Sequence, residues 1–326
     1  MSAVAASHVV IVGHCTIDDI IQADGQCLPG TLGGAAAYAA LGAAMYGAHV
    51  TLITLLGADY PLDQLTLANC VQGVIDTQLV RRAGERSIHN VARYAHDGSR
   101  VFEIESWPLM EDLTPTVTDV PAEIVQGATV LLTPASQAKQ LELAQFLRQQ
   151  RCLVALDTEL HYFPTSVGKA ALCETAAWAT YFLPSIEHLQ VLYHSLSKDP
   201  LAYMDAMRDL GCPWIVVKQG AAGSTVIDVR DGCYWRIPSI AGLVIADTTG
   251  AGDAFDGGFV AALGEGKTPV DAACWGTVAA SFGVESVGVT VPAHFTPELF
   301  AQRYRWLRPR VGHGRVDESN KGDMLS

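Results

Sequence analysis

Short apolar runs alternate along this chain with longer stretches in which apolar residues recur at helical spacing. The runs Val9–Val12, Val50–Leu55, Thr129–Leu132, Cys152–Leu156, Tyr181–Leu183 and Trp214–Val217 read as strands that are apolar on both faces. That is the pattern of a parallel sheet covered on each side. Helices are expected over Gly34–Tyr46, Ala138–Gln149, Ser166–Trp178, Glu187–Tyr193, Leu201–Leu210, Ala251–Leu263 and Pro269–Phe282. The alternation predicts the α/β class, one doubly wound domain over about residues 1–308 rather than two domains.

Two segments break the pattern. Asp19–Leu32, within a first lid segment of about residues 14–32, is turn-rich, and Leu79–Trp107 alternates polar and apolar residues around His96-Asp97-Gly98-Ser99, as an antiparallel hairpin does. Strands of this kind inserted in an α/β domain commonly project as a flap over a site. Phe102, Ile104 and Trp107 read as exposed apolar residues on it, and a homodimer through the flap follows as an expectation. Residues 309–326 are polar, lack periodicity and are expected to fray.

Composition narrows the partners. Asp and Glu number 34 against 21 Lys and Arg, a formal net charge of −13, and no basic stripe is present, so nucleic acid is not an expected partner. Gly25–Ala58 lacks Asp, Glu, Lys and Arg over a length that could span a bilayer. It contains Pro29, Gly33-Gly34, Gly42, Gly47 and His49, however, and reads as a buried helix, a Gly47 stop and a strand; no membrane is expected. His8–Val12 reads as a first strand, not a signal peptide. The eight cysteines form no CxxC pair, and most sit in apolar runs, consistent with reduced thiols and a cytoplasmic location.

Familiar phosphate motifs fail first. Ala261–Thr268 ends like a P-loop but opens on Ala261 at a helix end, and Gly13–Ile17 carries no GxGxxG. Asp247-Thr248-Thr249-Gly250-Ala251-Gly252-Asp253 is different, because small residues lead directly into a helix. Amides at a helix start are unpaired and carry about half a positive charge, so an anion can be cradled there. Asp253 is then either a helix-stabilising carboxylate or a general base, and spacing alone leaves both open.

Asp247–Phe255 resembles the C-terminal signature of the ribokinase-like (PfkB) carbohydrate kinases. The similarity continues at Gly13–Asp18, at Gly33–Gly42, at Gly57-Ala58-Asp59 and at Val217–Gly223. It implies a three-layer α/β/α sandwich with a small β lid, ATP as phosphate donor, magnesium, and room for a monovalent cation such as K+. Asp253 would be the general base, with Gly250, Ala251 and Gly252 forming the anion hole. The acceptor implied is a small sugar or polyol, cyclitols among them, with a nucleoside as the alternative. A non-catalytic, nucleotide-binding member is a further alternative.

Asp18, Gly33, Gly34 and Tyr38 are the expected acceptor-binding positions; Lys218, Gly220, Gly223, Thr248 and Gly288 are those for nucleotide. Each has a plainer alternative. Asp18 can be a turn carboxylate, Gly220 and Gly223 ordinary turn glycines, and Lys218 a solvated strand-end lysine. Tyr38 stands where many relatives have Asn and is either a wall or stacking surface for the acceptor or a core tyrosine. The family's Asn-x-x-Glu falls on Ser185 and His188, which leaves Glu187 as the candidate metal ligand, and Leu156–Leu160 lacks the Arg of several sugar-kinase subgroups.

Overall fold

The structure is a computed structural model, and it describes residues 7–67, 72–96, 100–158 and 166–316. Its main sheet has ten strands in the order Gly312–Arg315, Cys233–Ile237, Ser224–Asp228, Trp214–Lys218, Tyr181–Phe182, Leu153–Leu156, Thr129–Leu132, His8–Val12, His49–Ile53 and Val74–Asp76. From Trp214–Lys218 to Val74–Asp76 every pairing is parallel, and the three strands beyond are antiparallel. Alternate residues of each strand enter different cores. Val9, Ile11, Leu131, Ala155 and Val216 face one layer of helices, and Val10, Val12, Leu132, Leu156 and Val217 face the other. This is the expected three-layer, mostly parallel α/β/α sheet.

Two expectations require correction. Gly312–Arg315 lies inside the stretch expected to fray, yet it pairs with Cys233–Ile237, and Gly314 leaves room for the Tyr234 side chain that lies against it. Residues 317–326 lie outside the described residues, as do the hairpin residues 97–99. The helix expected over Leu201–Leu210 splits into a 3-10 turn, Pro200–Tyr203, and a short helix, Met204–Arg208. Asp199 caps the turn through the Leu201 amide at 3.2 Å.

The two irregular segments meet in one four-stranded sheet ordered Cys27–Gly33, Thr16–Ile21, Ile88–Tyr94 and Arg100–Ile104. This is the lid. Phe102 and Ile104 are half-buried on it rather than exposed, while Val101 and Trp107 are 63% and 40% exposed. The charge-free stretch resolves into the lid strand, the helix Ala35–Tyr46 ended by Gly47 at φ 108°, and the strand His49–Ile53. Among the described residues no helix is long and apolar enough to cross a membrane.

The helix Ala251–Gly264 is clamped between the helices Ala35–Tyr46 and Pro269–Gly283 through glycines. A Cβ on Gly257 would overlap the Ala39 carbonyl, one on Gly42 the Ala254 carbonyl, and one on Gly276 would come 2.6 Å from the Phe255 carbonyl. Backbone therefore touches backbone. In an open helix Gly→Ala gains about 0.5–1 kcal/mol. Here the added methyl must push the helices apart, which costs about 1–3 kcal/mol. Gly257→Ala is expected to lower the urea midpoint with an unchanged m value, and an equal or higher midpoint would mean the helices are not in backbone contact.

Candidate active site

The loop leading into the clamped helix ends at Gly250, whose φ of 72° places it in the left-handed region. A side chain there would be strained and would also run into the Tyr38 ring. Among the described residues no side chain caps the helix start. The amide of Ala251 turns back to the Thr248 carbonyl at 3.3 Å, a long bond, so the three expected anion-hole amides are not equivalent. Thr248 is exposed, and Asp247 is buried with one oxygen accepting from the Thr249 amide at 2.8 Å. Asp253 follows in the first turn, half-buried.

Asp18 lies on the lid strand Thr16–Ile21 and is only 3% exposed. Its Oδ1 accepts from Thr16 Oγ1 at 2.8 Å and from Asn90 Nδ2 at 3.1 Å. Gly33 presses on this carboxylate so closely that any Cβ would overlap it, and a Cβ on Gly34 would lie 2.6 Å from the His14 carbonyl. Tyr38 is 5% exposed, with Gly250 against its ring, so it sits in the core and presents no stacking surface. Burial pushes its phenol well up, and the carboxylates of Asp247, Asp18 and Asp253 push it further. Asp18 and Asp253 both lie near enough to Tyr38 to act on its phenol.

Behind the helix start is a buried charge cluster that sequence reasoning only partly foresaw. Lys218 Nζ donates to Asp157 Oδ2 at 2.8 Å and to Asp256 Oδ2 at 2.7 Å, and its side chain is 12% exposed. Burial alone would lower its pKa, but Asp157, Asp256 and Asp253 outweigh that and raise it. Lys218 is therefore not solvated, and its ammonium sits 3.6 Å from where a Gly252 Cβ would be. Burial pushes the Asp256 carboxyl well up, whereas for Asp157 the same burial is outweighed by Lys218 and His188, which hold its carboxyl down. Asp256 lies one helical turn from Asp253, on the same face. Carboxylate oxygens of Asp157, Asp253 and Asp256 come within 4.8 Å of one another, the one such cluster among the described residues.

Glu187 does not belong to it. Glu187 is exposed, and Ser185 and His188 close a capping box in which the Ser185 amide donates to His188 Nδ1 at 3.2 Å. The positions of the missing Asn-x-x-Glu serve as a helix cap. Residues 159 and 160 lie outside the described residues. Gly220 and Gly223 have φ of 54° and 92°. Gly220 stands in an exposed turn with open space around it, while a Cβ on Gly223 would overlap the Ile237 carbonyl. Gly288, at φ 68°, packs on Thr31 of the lid strand.

The lid supplies two residues not foreseen from sequence. Tyr94 donates its hydroxyl to Asp247 and meets the Thr249 hydroxyl, joining the lid to the glycine loop. Asn90 is 4% exposed beside Asp18. The signal was present: Ile88, Asn90 and Ala92 alternate as the inward face of one strand, and a polar residue among inward apolar ones asks for a partner.

Removing Lys218 would leave two buried carboxylates without a cation. Lys218→Met is expected to cost about 3–5 kcal/mol at neutral pH. Buried carboxylates left this way have folded pKa values above their unfolded ones, so folding takes up protons and stability rises as pH falls. The deficit should shrink between pH 7 and pH 5 in denaturant titrations. A deficit constant with pH would mean the carboxylates find another cation.

A model of the pfkB family of carbohydrate kinases matches residues 6–295 of the chain. The chain is 28% identical over 263 residues to a cytidine kinase of Thermococcus kodakarensis, covering 79% of this chain and 89% of that one. It is 26% identical over 285 residues to an inositol 3-kinase of Arabidopsis thaliana, covering 86% and 74%. Among solved structures, Arabidopsis thaliana ribokinase complexed with ribose and ATP superposes with a TM-score of 0.73 over 92% of this chain and 99% of that one, at 22% identity. This last likeness concerns the fold.

Proposed function

The chain belongs to the pfkB carbohydrate kinase family, and on that premise we propose that it transfers phosphate from ATP to a hydroxyl of a small sugar or polyol. The observation that carries this reading is a glycine-led helix start with Asp253 in its first turn, set against the buried Lys218–Asp157–Asp256 cluster. In the proposed reaction Asp18 orients the acceptor and Asp253 removes the proton of the attacking hydroxyl. Amides of Gly250 and Gly252, with the helix dipole, receive the charge of the transferring phosphoryl group. Lys218 adds its charge from behind Gly252. Gly220 and Gly223 are the proposed nucleotide turn. ATP as donor is supported by the fold shared with the ribokinase bound to ribose and ATP.

Magnesium fits the residues present. Asp256 Oδ1 is buried with no hydrogen-bond partner, and the donor set is three carboxylates, the hard oxygen ligands this ion takes. Asp157, Asp253 and Asp256 would hold it, and a bound magnesium would neutralise charge on the phosphates.

A nucleoside acceptor is the second reading, favoured by the likeness to cytidine kinase. ADP release with ribose, myo-inositol and cytidine separates the two, and turnover of cytidine alone would sink the first. Asp253→Asn is expected to keep ATP binding by calorimetry while kcat falls by at least ~10²-fold. An unchanged rate would remove Asp253 from the chemistry.

A further inference from the structure

The helix Gln137–Gln149 turns one stripe of side chains into the core, Gln140, Leu143, Ala144 and Leu147, at the spacing i, i+3, i+4 and i+7. Gln140 is the polar member and is 2% exposed. A buried carboxamide is costly unless its groups are paired. Its nitrogen donates to the Thr133 carbonyl at 2.7 Å and to the Asp157 carbonyl at 2.9 Å. Both carbonyls stand one residue past the ends of the neighbouring strands Thr129–Leu132 and Leu153–Leu156. Carbonyl oxygens only accept, so these partners fix which way the amide faces.

The register shows why the sheet does not satisfy Asp157 by itself. Leu132 pairs with Leu156, and the Asp157 amide donates to the Leu132 carbonyl at 2.9 Å. In a parallel ladder the next bond runs from the amide two residues beyond Leu132 to the Asp157 carbonyl. That residue is Pro134, which has no N–H to give. Gln140 supplies the missing donor from the helix. The Asp157 side chain is committed on its other side. Its Oδ1 accepts from the Thr158 amide at 2.8 Å and its Oδ2 from Lys218 at 2.8 Å, and it is one of the three clustered carboxylates. A carboxylate is aimed by the backbone that carries it, so the anchor of this strand end aims the cluster.

We propose that Gln140 is a positioning residue for the metal-binding carboxylates. By making the ladder bond that Pro134 cannot make, it holds Asp157 on Lys218 and raises the affinity of the Asp157–Asp253–Asp256 group for a divalent cation, without touching the cation. This rests on the phosphotransfer reading and the magnesium assignment above. Residues that orient metal ligands from outside govern affinity by about 10–100-fold.

Mn2+ binding to the ATP-free protein, read by electron paramagnetic resonance, tests this without turnover. Gln140→Met keeps the bulk and removes both donors. It is expected to weaken Mn2+ binding about 10-fold or more. Calorimetric binding of whichever of ribose, myo-inositol and cytidine the wild type takes should stay as it was. Pro134→Ala restores an amide at the ladder position, so the double variant Gln140→Met/Pro134→Ala should regain most of the Mn2+ affinity. Unchanged Mn2+ binding in folded Gln140→Met would overturn the proposal. So would a loss that Pro134→Ala does not relieve, since Gln140 would then only fill the core. If Gln140→Met does not fold, the double variant decides: near wild-type Mn2+ affinity supports the proposal, and weak binding or failure to fold overturns it. Wild-type protein that binds no Mn2+ overturns it as well. Wild-type protein that binds Mn2+ but releases no ADP with any acceptor would instead refute the phosphotransfer reading and leave the Gln140 test intact.

Discussion

The site depends on backbone meeting backbone where the helices Ala35–Tyr46 and Ala251–Gly264 cross. Gly42 and Gly257 leave no room for a methyl between the two, so the helices lie at the closest approach main chains allow. Tyr38, near the start of one helix, is thereby placed under Gly250, the cap of the other. The glycine turns that lead into the two helices, at Gly34 and at Gly250, are thereby held at a fixed spacing. A separation of even a methyl's width would move them relative to one another, and positioning is most of what phosphoryl transfer asks of a protein.

Charge is arranged around that crossing in a second layer. Lys218 is held by Asp157 and Asp256 in a site largely closed to water, where pairing rather than solvation keeps ions stable. The cluster draws on two strand ends and one helix turn, so it joins the sheet to the helix that bears Asp253. It places a fixed positive charge beside Gly252 without exposing a lysine to solvent.

Much of this was legible beforehand, for identifiable reasons. The parallel strands are short, continuous apolar runs, because both of their faces are covered, and the run Asp247–Asp253 announces itself through small residues ahead of a helix. The antiparallel strands Ser224–Asp228, Cys233–Ile237 and Gly312–Arg315 were harder to read. They lie toward one margin of the sheet, and Gly312–Arg315 has exposed polar positions that give no apolar signal. For Tyr38 the sequence left open an acceptor surface or a core tyrosine, and only burial against Gly250 puts its ring in the core.

The sequence by itself determined the α/β class and marked the two segments that form the lid, since each is written in local spacing and residue type, and it offered Asp18, Gly250 and Asp253 as candidates. Tertiary structure alone decided that Lys218 is shared by Asp157 and Asp256, that Ser185 and His188 form a cap, and that Asn90 stands against Asp18 with its carbonyl unfilled. Those are contacts between residues distant in the chain, apart from the local Ser185–His188 cap. Whether a polar side chain is solvated, paired or bare depends on what the fold brings to it, and that is not a property of its neighbours in sequence.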